Sequence, residues 1–349
     1  MGRLLAIESS CDETAAAVVT TERRVLASVI ATQIPVHARY GGVVPELASR
    51  SHMTAIRPVI QQALAEAGCA LEDLDAIAVT TGPGLAGCLL VGLQVAKTLA
   101  WTRGLPLVPV DHIAAHVDAI FLSDDRGAGA IVPELPYVAL AVSGGHTSLA
   151  RVDAPGRLKP LGYTVDDAAG EAFDKVAKMM GLPYPGGVHI DRIAKDGDTR
   201  AVELPRPMLG KGLNFSFSGL KTAVRYLLEG SGEAEIAQAD MAASAQEAIV
   251  DVLVSKSLAA CRQEGLRDLV VAGGVACNSR LRTRIVDAAE KVGVRAHLTP
   301  ARYCTDNAAM IGGLGAMLLA RGEALSGEAL RRADIHVTQR PRRRARAGA

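Results

Sequence analysis

The chain has 349 residues, a length that suits two domains of ordinary size better than one. Its formal net charge is +1, which excludes a protein coated with positive charge for general nucleic-acid binding, so any RNA contact must come from a local patch. Aromatic residues make up only 3% of the chain, which argues against a site built on stacking single-stranded bases.

Strand-like runs open the chain and are followed by alternating helices and strands. The links between the first three runs are too short for crossover helices, so these strands should pair antiparallel. The predicted elements, in chain order, are strands 4–8, 16–20 and 25–33, helix 45–67, strand 76–80, helix 86–102, strand 107–110 and helix 111–122. A stretch that bears Gly and Pro, 124–136, is predicted to be a linker.

The same order of elements begins again after the linker. These elements are predicted as strands 137–143, 147–152 and 158–163, helix 168–180, an irregular region 181–218, helices 219–228 and 233–264, strand 268–271, helix 279–291, strand 295–298 and helix 306–320. Because the order β-β-β-α-β-α-β-α occurs twice, the sequence predicts an α/β protein of two related lobes with a cleft between them.

The repeat also predicts how the chain divides. Lobe I should span 1–135 and receive the C-terminal helix, about 306–322. Lobe II should span 136–305 and contain an irregular and helical insertion over about 181–265. Residues 335–349, which are rich in arginine, are predicted to form a disordered basic tail.

The cysteines and the apolar runs predict the compartment. Six cysteines occur, none in a C-x-x-C pair, and no signal peptide precedes the first strand-like run. We therefore expect reduced thiols in a cytoplasmic protein. No uninterrupted apolar run reaches the roughly 18 residues that a membrane span needs, so no membrane association is expected.

Two histidines are spaced for a metal site. On a helix, His112 and His116 share one face, so both imidazoles can reach one ion, although two unrelated histidines on a polar face explain the spacing equally well. Asp306 is a candidate third ligand, with a simple helix N-cap as the alternative. Two histidines and a carboxylate are typical of Fe(II) sites, and they also occur, less distinctively, in Zn and Mn sites.

A zinc protease would need Glu where Ile113 stands, so peptidase activity is disfavoured.

A G-x-G-x-x-G sequence at 82–87 follows a predicted strand and opens a helix. Such a turn is typical of dinucleotide binding, and Asp111 ends the next strand near the position expected for the acidic residue of that motif. The motif lies on the fourth strand, however, after an antiparallel triplet that a Rossmann half lacks. A tight strand-to-helix turn without a ligand is the alternative.

Further glycine-rich turns follow predicted strands at 142–146 and 272–278, and a third lies at 185–187 within the predicted irregular region. Glycine lets the backbone approach a phosphate closely and offer its N–H groups. Each turn alone is non-specific, but together they indicate a nucleotide held in the cleft. Asp191 adds a carboxylate that can bind ribose hydroxyls.

Acidic residues accompany these turns. Asp12 and Glu13 lie in the first hairpin, which faces the phosphates in two-lobed nucleotide folds, with an ordinary polar turn as the alternative. Asp174 lies deeper in its predicted helix than the acids at the helix start and is the better candidate for a ligand contact. The arginine-rich run 340–346 can touch RNA phosphates, and a solvated tail without a role explains it equally well.

Taken together, the motifs resemble those of the TsaD family, once called the glycoprotease or Gcp family. The similarity covers about 4–319 and includes long motifs in order, at 7–14, 41–50, 81–85, 112–116, 142–147, 166–175, 215–221 and 304–307. The resemblance implies an actin-like, duplicated two-lobed fold of the sugar kinase and heat-shock ATPase superfamily, with mixed sheets and a central cleft. It also implies transfer of threonylcarbamoyl from threonylcarbamoyl-AMP to N6 of the adenosine 3′ of the anticodon in tRNA, releasing AMP.

The resemblance further implies cofactor, partners and site residues. One divalent metal, iron with zinc or manganese as alternatives, would be held by His112, His116 and Asp306. A TsaB-like inactive paralogue and a TsaE-like ATPase would be helpers, and Asp12 and Glu13 would lie near the reacting group. The adenylate would be bound by Ala141, Val142, Ser143, Gly144, Gly145, Asp174, Gly187, Asp191 and Asn278.

Two rival functions remain on the same fold. An ATPase or sugar kinase would keep the phosphate turns but has no need of the two histidines. A non-catalytic scaffold subunit should have lost both the metal ligands and the turns, which this sequence retains.

Overall fold

Runs of β-branched and small apolar residues form two five-stranded sheets in the computed structural model, which describes residues 2–125, 132–230 and 236–337. In each sheet three antiparallel strands are continued by two parallel strands. The two sheets have the same topology, which confirms the predicted two-lobed α/β architecture.

Lobe I is built on a sheet of order β3-β2-β1-β4-β5. The predicted antiparallel pairing of its first three strands is confirmed. Its elements are β1 Arg3–Glu8, β2 Glu13–Thr20, β3 Val25–Thr32, α1 Ile34–His37, α2 Pro45–Glu66, β4 Ala76–Gly82, α3 Ala86–Arg103, β5 Leu107–Asp111 and α4 His112–Asp118.

Lobe II repeats this plan with the order β8-β7-β6-β9-β10. The two helices that end the described chain, α10 and α11, return to lobe I. The elements are β6 Tyr137–Val142, β7 Thr147–Ala154, β8 Arg157–Tyr163, α5 Ala169–Met179, α6 Gly186–Ile193, α7 Ser218–Gly230, α8 Gln238–Glu264, β9 Asp268–Ala272, α9 Ser279–Lys291, β10 Arg295–Leu298, α10 Ala308–Ala320 and α11 Gly327–Arg332.

Both faces of the lobe I sheet are buried, because successive side chains of a strand point to opposite faces. Leu4 and Ala6 of β1 pack toward α10, while Leu5 and Ile7 pack toward α2 and α3. Helix α10 approaches its face closely, since a Cβ at Gly312 would lie 2.6 Å from Val19 Cγ2. The small residues of α10 thus hold the loop before this helix close to the ends of the strands.

Helix α4 lies between the lobes. Its Ala114 and Ala115 are buried in the lobe I cluster that includes α10. Ile113 and Val117, on another side of the helix, pack against the lobe II sheet at residues that include Ala139. A helix held by both sheets is a rigid support for side chains that face the cleft.

The structure corrects two predicted elements. The sequence predicts an irregular region over 181–218, but α6 lies within it, where consecutive glycines of low helix propensity concealed a helix that tertiary packing stabilises. The last long helix begins at Ala308 rather than 306, because Asn307 is its N-cap and accepts a hydrogen bond from Met310 N at 2.9 Å. The alternative in which Asp306 is that N-cap is therefore wrong.

Other predictions fall partly outside the described residues. These are the middle of the linker 124–136, the start of helix 233–264 and the tail from 338 onward. The predicted lobe boundaries stay a prediction. Within the described ranges, no helix is both long enough and apolar enough to cross a membrane.

Candidate metal centre and nucleotide cleft

Helix α4 presents both histidines on one face, as their spacing predicts. The helix begins where β5 ends, and the carboxylate of Asp111 caps it by accepting a hydrogen bond from Ala114 N at 2.9 Å. His112 and His116 are buried, with ring centroids 4.7 Å apart in an edge-to-face arrangement. The cap and the burial fix both imidazoles at the cleft side of the helix.

Asp306 joins the two histidines from the loop before α10. Its Oδ1 lies 3.1 Å from His116 Nε2 and 3.6 Å from His112 Nε2. One nitrogen from each histidine and one carboxylate oxygen lie within 4.8 Å of one another. The structure thus brings together the three residues predicted as metal ligands, although Asp306 is distant from α4 in sequence.

A buried carboxylate orients His112. Glu8, at the end of β1, is fully buried, and its Oε2 lies 3.0 Å from His112 Nδ1. The same oxygen accepts a hydrogen bond from Thr80 Oγ1 at 2.6 Å. With its Nδ1–H donated to Glu8, His112 turns Nε2 toward Asp306, and this nitrogen would become a metal ligand when an ion displaces its proton.

The charges of this cluster favour a cation. Burial alone would lower the pKa of His112, but the carboxylates of Glu8 and Asp306 outweigh it and raise this pKa to about 9. Burial likewise raises the pKa of Asp306, but the adjacent His112 and His116 outweigh burial and hold this pKa well below its ordinary range. Two imidazole nitrogens and a carboxylate oxygen are donors that suit Fe(II), Zn(II) or Mn(II), so the residues fit the expected ion.

His146 also faces the cluster, although its sequence position indicated only a turn. Burial, together with the nearby His112, lowers the pKa of His146 to about 4, so this imidazole is neutral at neutral pH. The turn is closed by Ser143, whose backbone N–H donates to the carbonyl of His146 at 2.8 Å. The sequence feature that could have indicated this histidine is its position directly after two glycines of a turn.

A cavity of about 400 Å³ opens beside the cluster on the lobe II side. Five residues predicted to bind the adenylate line it, namely Gly144, Asp174, Gly187, Asp191 and Asn278. Ala141 and Val142 are instead buried within β6, and Ser143 and Gly145 lie in the turn that follows. Tyr184, Cys277 and Thr305 also line the cavity and were not predicted, because only the fold brings their three segments together.

Three of the predicted polar residues hold the walls of this cavity. Asp174 Oδ1 accepts a hydrogen bond from Gly186 N at 2.7 Å and so caps helix α6. Asp191 accepts one from Ser279 Oγ at 2.7 Å, which joins α6 to α9. Asn278 caps α9 through its side-chain oxygen.

The acidic pair of the first hairpin lies on the lobe I side. Burial raises the pKa of Asp12 and raises that of Glu13 to about 7. Glu13 Oε1 accepts a hydrogen bond from Thr32 Oγ1 at 2.9 Å, while its buried Oε2 has no partner among the described residues. The negative charge of Asp306 contributes to both pKa shifts, so the pair lies close enough to the cluster to respond to it.

The G-x-G-x-x-G turn at 82–87 packs against protein. The backbone of Ser10 accepts a hydrogen bond from Leu85 N at 2.8 Å, and a Cβ at Gly84 would collide with that same backbone. A Cβ at Gly82 would meet the backbone of His336. These contacts favour the alternative in which the turn serves close packing without a dinucleotide.

Comparison with solved structures identifies the fold. Component A of (R)-2-hydroxyglutaryl-CoA dehydratase from Acidaminococcus fermentans superposes with a TM-score of 0.56 at 13% identity, over 93% of this chain and 99% of that one. HypF from T. kodakarensis superposes with a TM-score of 0.59 at 14% identity, over 94% of this chain and 49% of that one. At these identities the likeness shows the fold alone, which is the expected actin-like, two-lobed fold.

Comparison of sequences identifies the family. The family model of TsaD, tRNA N6-adenosine threonylcarbamoyltransferase, matches residues 24–313. A protein of that name from Geobacter sp. (strain M21) is 57% identical over 88% of this chain and 89% of its own length. Another, from Anaeromyxobacter dehalogenans (strain 2CP-C), is 54% identical over 93% of this chain and 96% of its own length. The chain therefore belongs to the TsaD family and is an acyltransferase that modifies an adenosine of tRNA at N6.

Proposed function

We propose that this enzyme takes its threonylcarbamoyl group from threonylcarbamoyl-AMP and delivers it to the adenosine 3′ of the anticodon. The observation that carries the proposal is that the nucleotide cavity adjoins the histidine–aspartate cluster. Thr305 lines the cavity and directly precedes Asp306, while Gly144 lines it two residues before His146. A donor whose adenosine fills the cavity would therefore extend its phosphate and acyl group toward the cluster.

The cavity suits a nucleotide in size and chemistry. Its volume of about 400 Å³ falls in the range of small-molecule sites, roughly 300–1,000 Å³. Gly144 and Gly187 line the cavity without side chains that would obstruct a ligand, and the carboxylate of Asp191, which also lines it, is proposed to accept hydrogen bonds from ribose hydroxyls. Holding the donor in this way makes attack by the amine effectively unimolecular.

His112, His116 and Asp306 would hold one divalent ion, with iron proposed first and zinc or manganese as alternatives. When bound, the ion supplies Lewis-acid polarisation of the carbamoyl oxygen or neutralises phosphate charge. Glu8 keeps the His112 proton on Nδ1, so that Nε2 remains a ligand.

The transfer itself needs a proton acceptor. The adenosine N6 attacks the carbamoyl carbon, the bond from that carbon to the phosphate oxygen breaks, and AMP leaves with the electron pair. The amine must lose one proton, and Glu13 or Asp12 is proposed to accept it. Glu13 suits the task because burial places its pKa at about 7, near the working pH.

The proposal includes helpers and a compartment. The family resemblance implies a TsaB-like inactive paralogue and a TsaE-like ATPase, together with a separate enzyme that makes the adenylate. We place the reaction in the cytoplasm on the ground that its substrate is tRNA. The kinase and scaffold alternatives have no observation in their favour, since neither needs the buried histidine cluster.

The test is transfer of labelled threonylcarbamoyl from its adenylate to unmodified tRNA, with the helpers present. His112→Ala should abolish transfer and lower the bound metal together. His297→Ala is the matched control, since it removes a buried imidazole from β10 that is paired with Asp268 and lies outside the cluster.

Two outcomes would contradict the proposal. If a folded, metal-loaded wild type gave no transfer, the kinase and scaffold alternatives would be favoured instead. Full transfer by a metal-free His112→Ala variant would support the transferase activity but exclude the role proposed for the ion.

A further inference from the structure

A buried imidazole contacts both ends of the turn that carries the acidic pair, residues 11–14, here called the acidic hairpin. His52 belongs to α2, and its side chain is fully buried. Its Nε2 donates to the carbonyl of Cys11 at 2.9 Å, and its Nδ1 accepts from Thr14 Oγ1 at 2.7 Å. Cys11 and Thr14 flank Asp12 and Glu13 in the chain. One side chain therefore holds the acidic pair from both sides.

The proton positions on the His52 ring follow from its partners. A backbone carbonyl can only accept, so Nε2 carries the proton, and Nδ1 of the neutral ring accepts from the Thr14 hydroxyl. Burial lowers the pKa of His52, so the ring is neutral at neutral pH, as this pattern requires. The imidazole thus offers the acidic hairpin one donor and one acceptor, each in a fixed place.

Gln33 and His37 extend this hydrogen-bond network away from the hairpin, and both are buried. The backbone N–H of Val44 can only donate, so Nδ1 of His37 accepts from it at 3.3 Å, and Nε2 of His37 donates to Gln33 Oε1 at 3.1 Å. The Gln33 amide nitrogen then donates to the carbonyl of Ala48 at 3.3 Å and lies 3.5 Å from His52 Nδ1. Backbone groups at the two ends of the network thus fix the direction of these bonds.

The network also reaches the acidic pair through the main chain. The backbone N–H of Gln33 donates to the carbonyl of Asp12 at 3.1 Å. His52 and Gln33 therefore hold carbonyls of the acidic hairpin and do not contact the carboxylate of either acid. Their contacts set the place of the hairpin, and the hairpin in turn sets the place of both carboxylates.

We propose that His52 is a positioning residue for the transfer reaction, holding the acidic hairpin where one of its two carboxylates takes the proton of the attacking amine. The inference rests on the proposed function in one respect, that a carboxylate of this hairpin is the proton acceptor. Misplacing a reacting group by about 1 Å can cost roughly 10²-fold in rate. The loss should fall on kcat and spare the KM for the donor, because the residues that line the nucleotide cavity belong to other segments.

The experiment measures kcat and KM in the transfer assay with the helpers present. The variants are His52→Leu, which removes both bonds to the hairpin, Thr14→Val, which is nearly isosteric and removes only one, and Thr14→Ser, which keeps the hydroxyl. We expect kcat to fall by about 10–100-fold in His52→Leu and by less in Thr14→Val, with each KM within about threefold of wild type. Thr14→Ser should stay close to wild type. His297→Leu makes the same substitution at a buried imidazole of lobe II and should leave kcat unchanged.

Nitrogen NMR tests the hydrogen bonds independently of activity. In protein labelled with ¹⁵N-histidine, the signals of the His52 ring are those that disappear in His52→Leu. We expect a protonated Nε2 and an unprotonated Nδ1, and a shift of the Nδ1 signal in Thr14→Val because its donor is lost. A His52 ring with its proton on Nδ1 would overturn the network.

The kinetic results can also overturn the positioning role. An unchanged kcat in folded His52→Leu and Thr14→Val would show that the hairpin does not need the imidazole. A raised KM for the donor at unchanged kcat would assign His52 to binding, and an equal loss in His297→Leu would reduce the effect to general destabilisation. If Asp12→Asn and Glu13→Gln both transfer at the wild-type rate, the proposed proton acceptor is at fault, whatever the NMR shows of His52.

Discussion

Glu8 shows how one buried carboxylate can set the chemistry of a histidine. Its Oε2 accepts hydrogen bonds from both His112 Nδ1 and Thr80 Oγ1 within a fully buried site. A charged acceptor at Nδ1 both fixes the tautomer and increases the basicity of Nε2. The residue that positions the ligand therefore belongs to the end of β1, far from α4 in sequence.

Glu8→Gln keeps the size of this side chain but removes its charge. We expect the affinity for the divalent ion to fall by about 10–100-fold, the usual effect of losing such a partner. Competition with a chromophoric chelator measures it. Thr80→Val, which removes only the second hydrogen bond to the same oxygen, should cost less, and equal affinity in Glu8→Gln and wild type would contradict the assigned role.

The raised pKa of Glu13 predicts how the transfer rate depends on pH. A base accepts a proton only when ionised, and burial raises the Glu13 pKa to about 7, so transfer should increase as pH rises through 7 and level off above it. Glu13→Gln should lower the rate by about 10²–10⁴-fold and remove this inflexion. Rate–pH profiles of Glu13→Gln and Asp12→Asn decide between the two acids. An inflexion near 7 that survives in Glu13→Gln would assign the base elsewhere.

Helix α10 illustrates how an element without a polar face is positioned. Its small residues let it lie directly on the lobe I sheet, and Asn307 caps it so that Asp306 is left to face α4. Asp306 is thus placed by the close packing of a helix that begins two residues later and contributes no residue of its own to the cluster.

Gly312→Ala tests this close packing. The new methyl group would lie 2.6 Å from Val19 Cγ2, and overpacking of this kind costs about 1–3 kcal/mol, against a helix-propensity gain of about 1 kcal/mol. We expect a lower midpoint of chemical denaturation and weaker metal binding. The control is Gly219→Ala in α7, where the added Cβ would meet its nearest atom at 3.4 Å, and it should not destabilise the protein.

The two lobes are joined where the site lies. Helix α4 packs on both sheets, and the expected ion would link α4 to the loop before α10. A ligand that binds only the folded state raises its stability by RT ln(1 + [L]/Kd), which is about 2.7 kcal/mol at a hundredfold excess over Kd.

Removing metal should therefore lower the thermal midpoint of wild type, and adding Fe(II), Zn(II) or Mn(II) should restore it. Calorimetry with and without chelator measures this shift. His116→Ala should have a midpoint that does not respond to metal, while His297→Ala should respond as wild type does. A wild-type midpoint indifferent to all three ions would contradict a metal site at this position.

Much of this protein is determined by local pattern. The order of strands and helices, the pairing of the first three strands and the histidine spacing on α4 all depend on neighbours within a few residues, so the sequence alone predicts them. The family is also evident from sequence, because its motifs are long and occur in order.

Tertiary structure decided the remainder. Glu8, His146, Asp306 and the cavity wall at Tyr184 come from separate segments, and only sheet topology brings them to one place. Helix α6 escaped prediction because its glycines have low propensity and its stability comes from packing and from the Asp174 cap. The position of His336 beside Thr81 and Asp111 was equally hidden, since hydrogen bonds between distant backbone groups leave no periodic signal in a sequence.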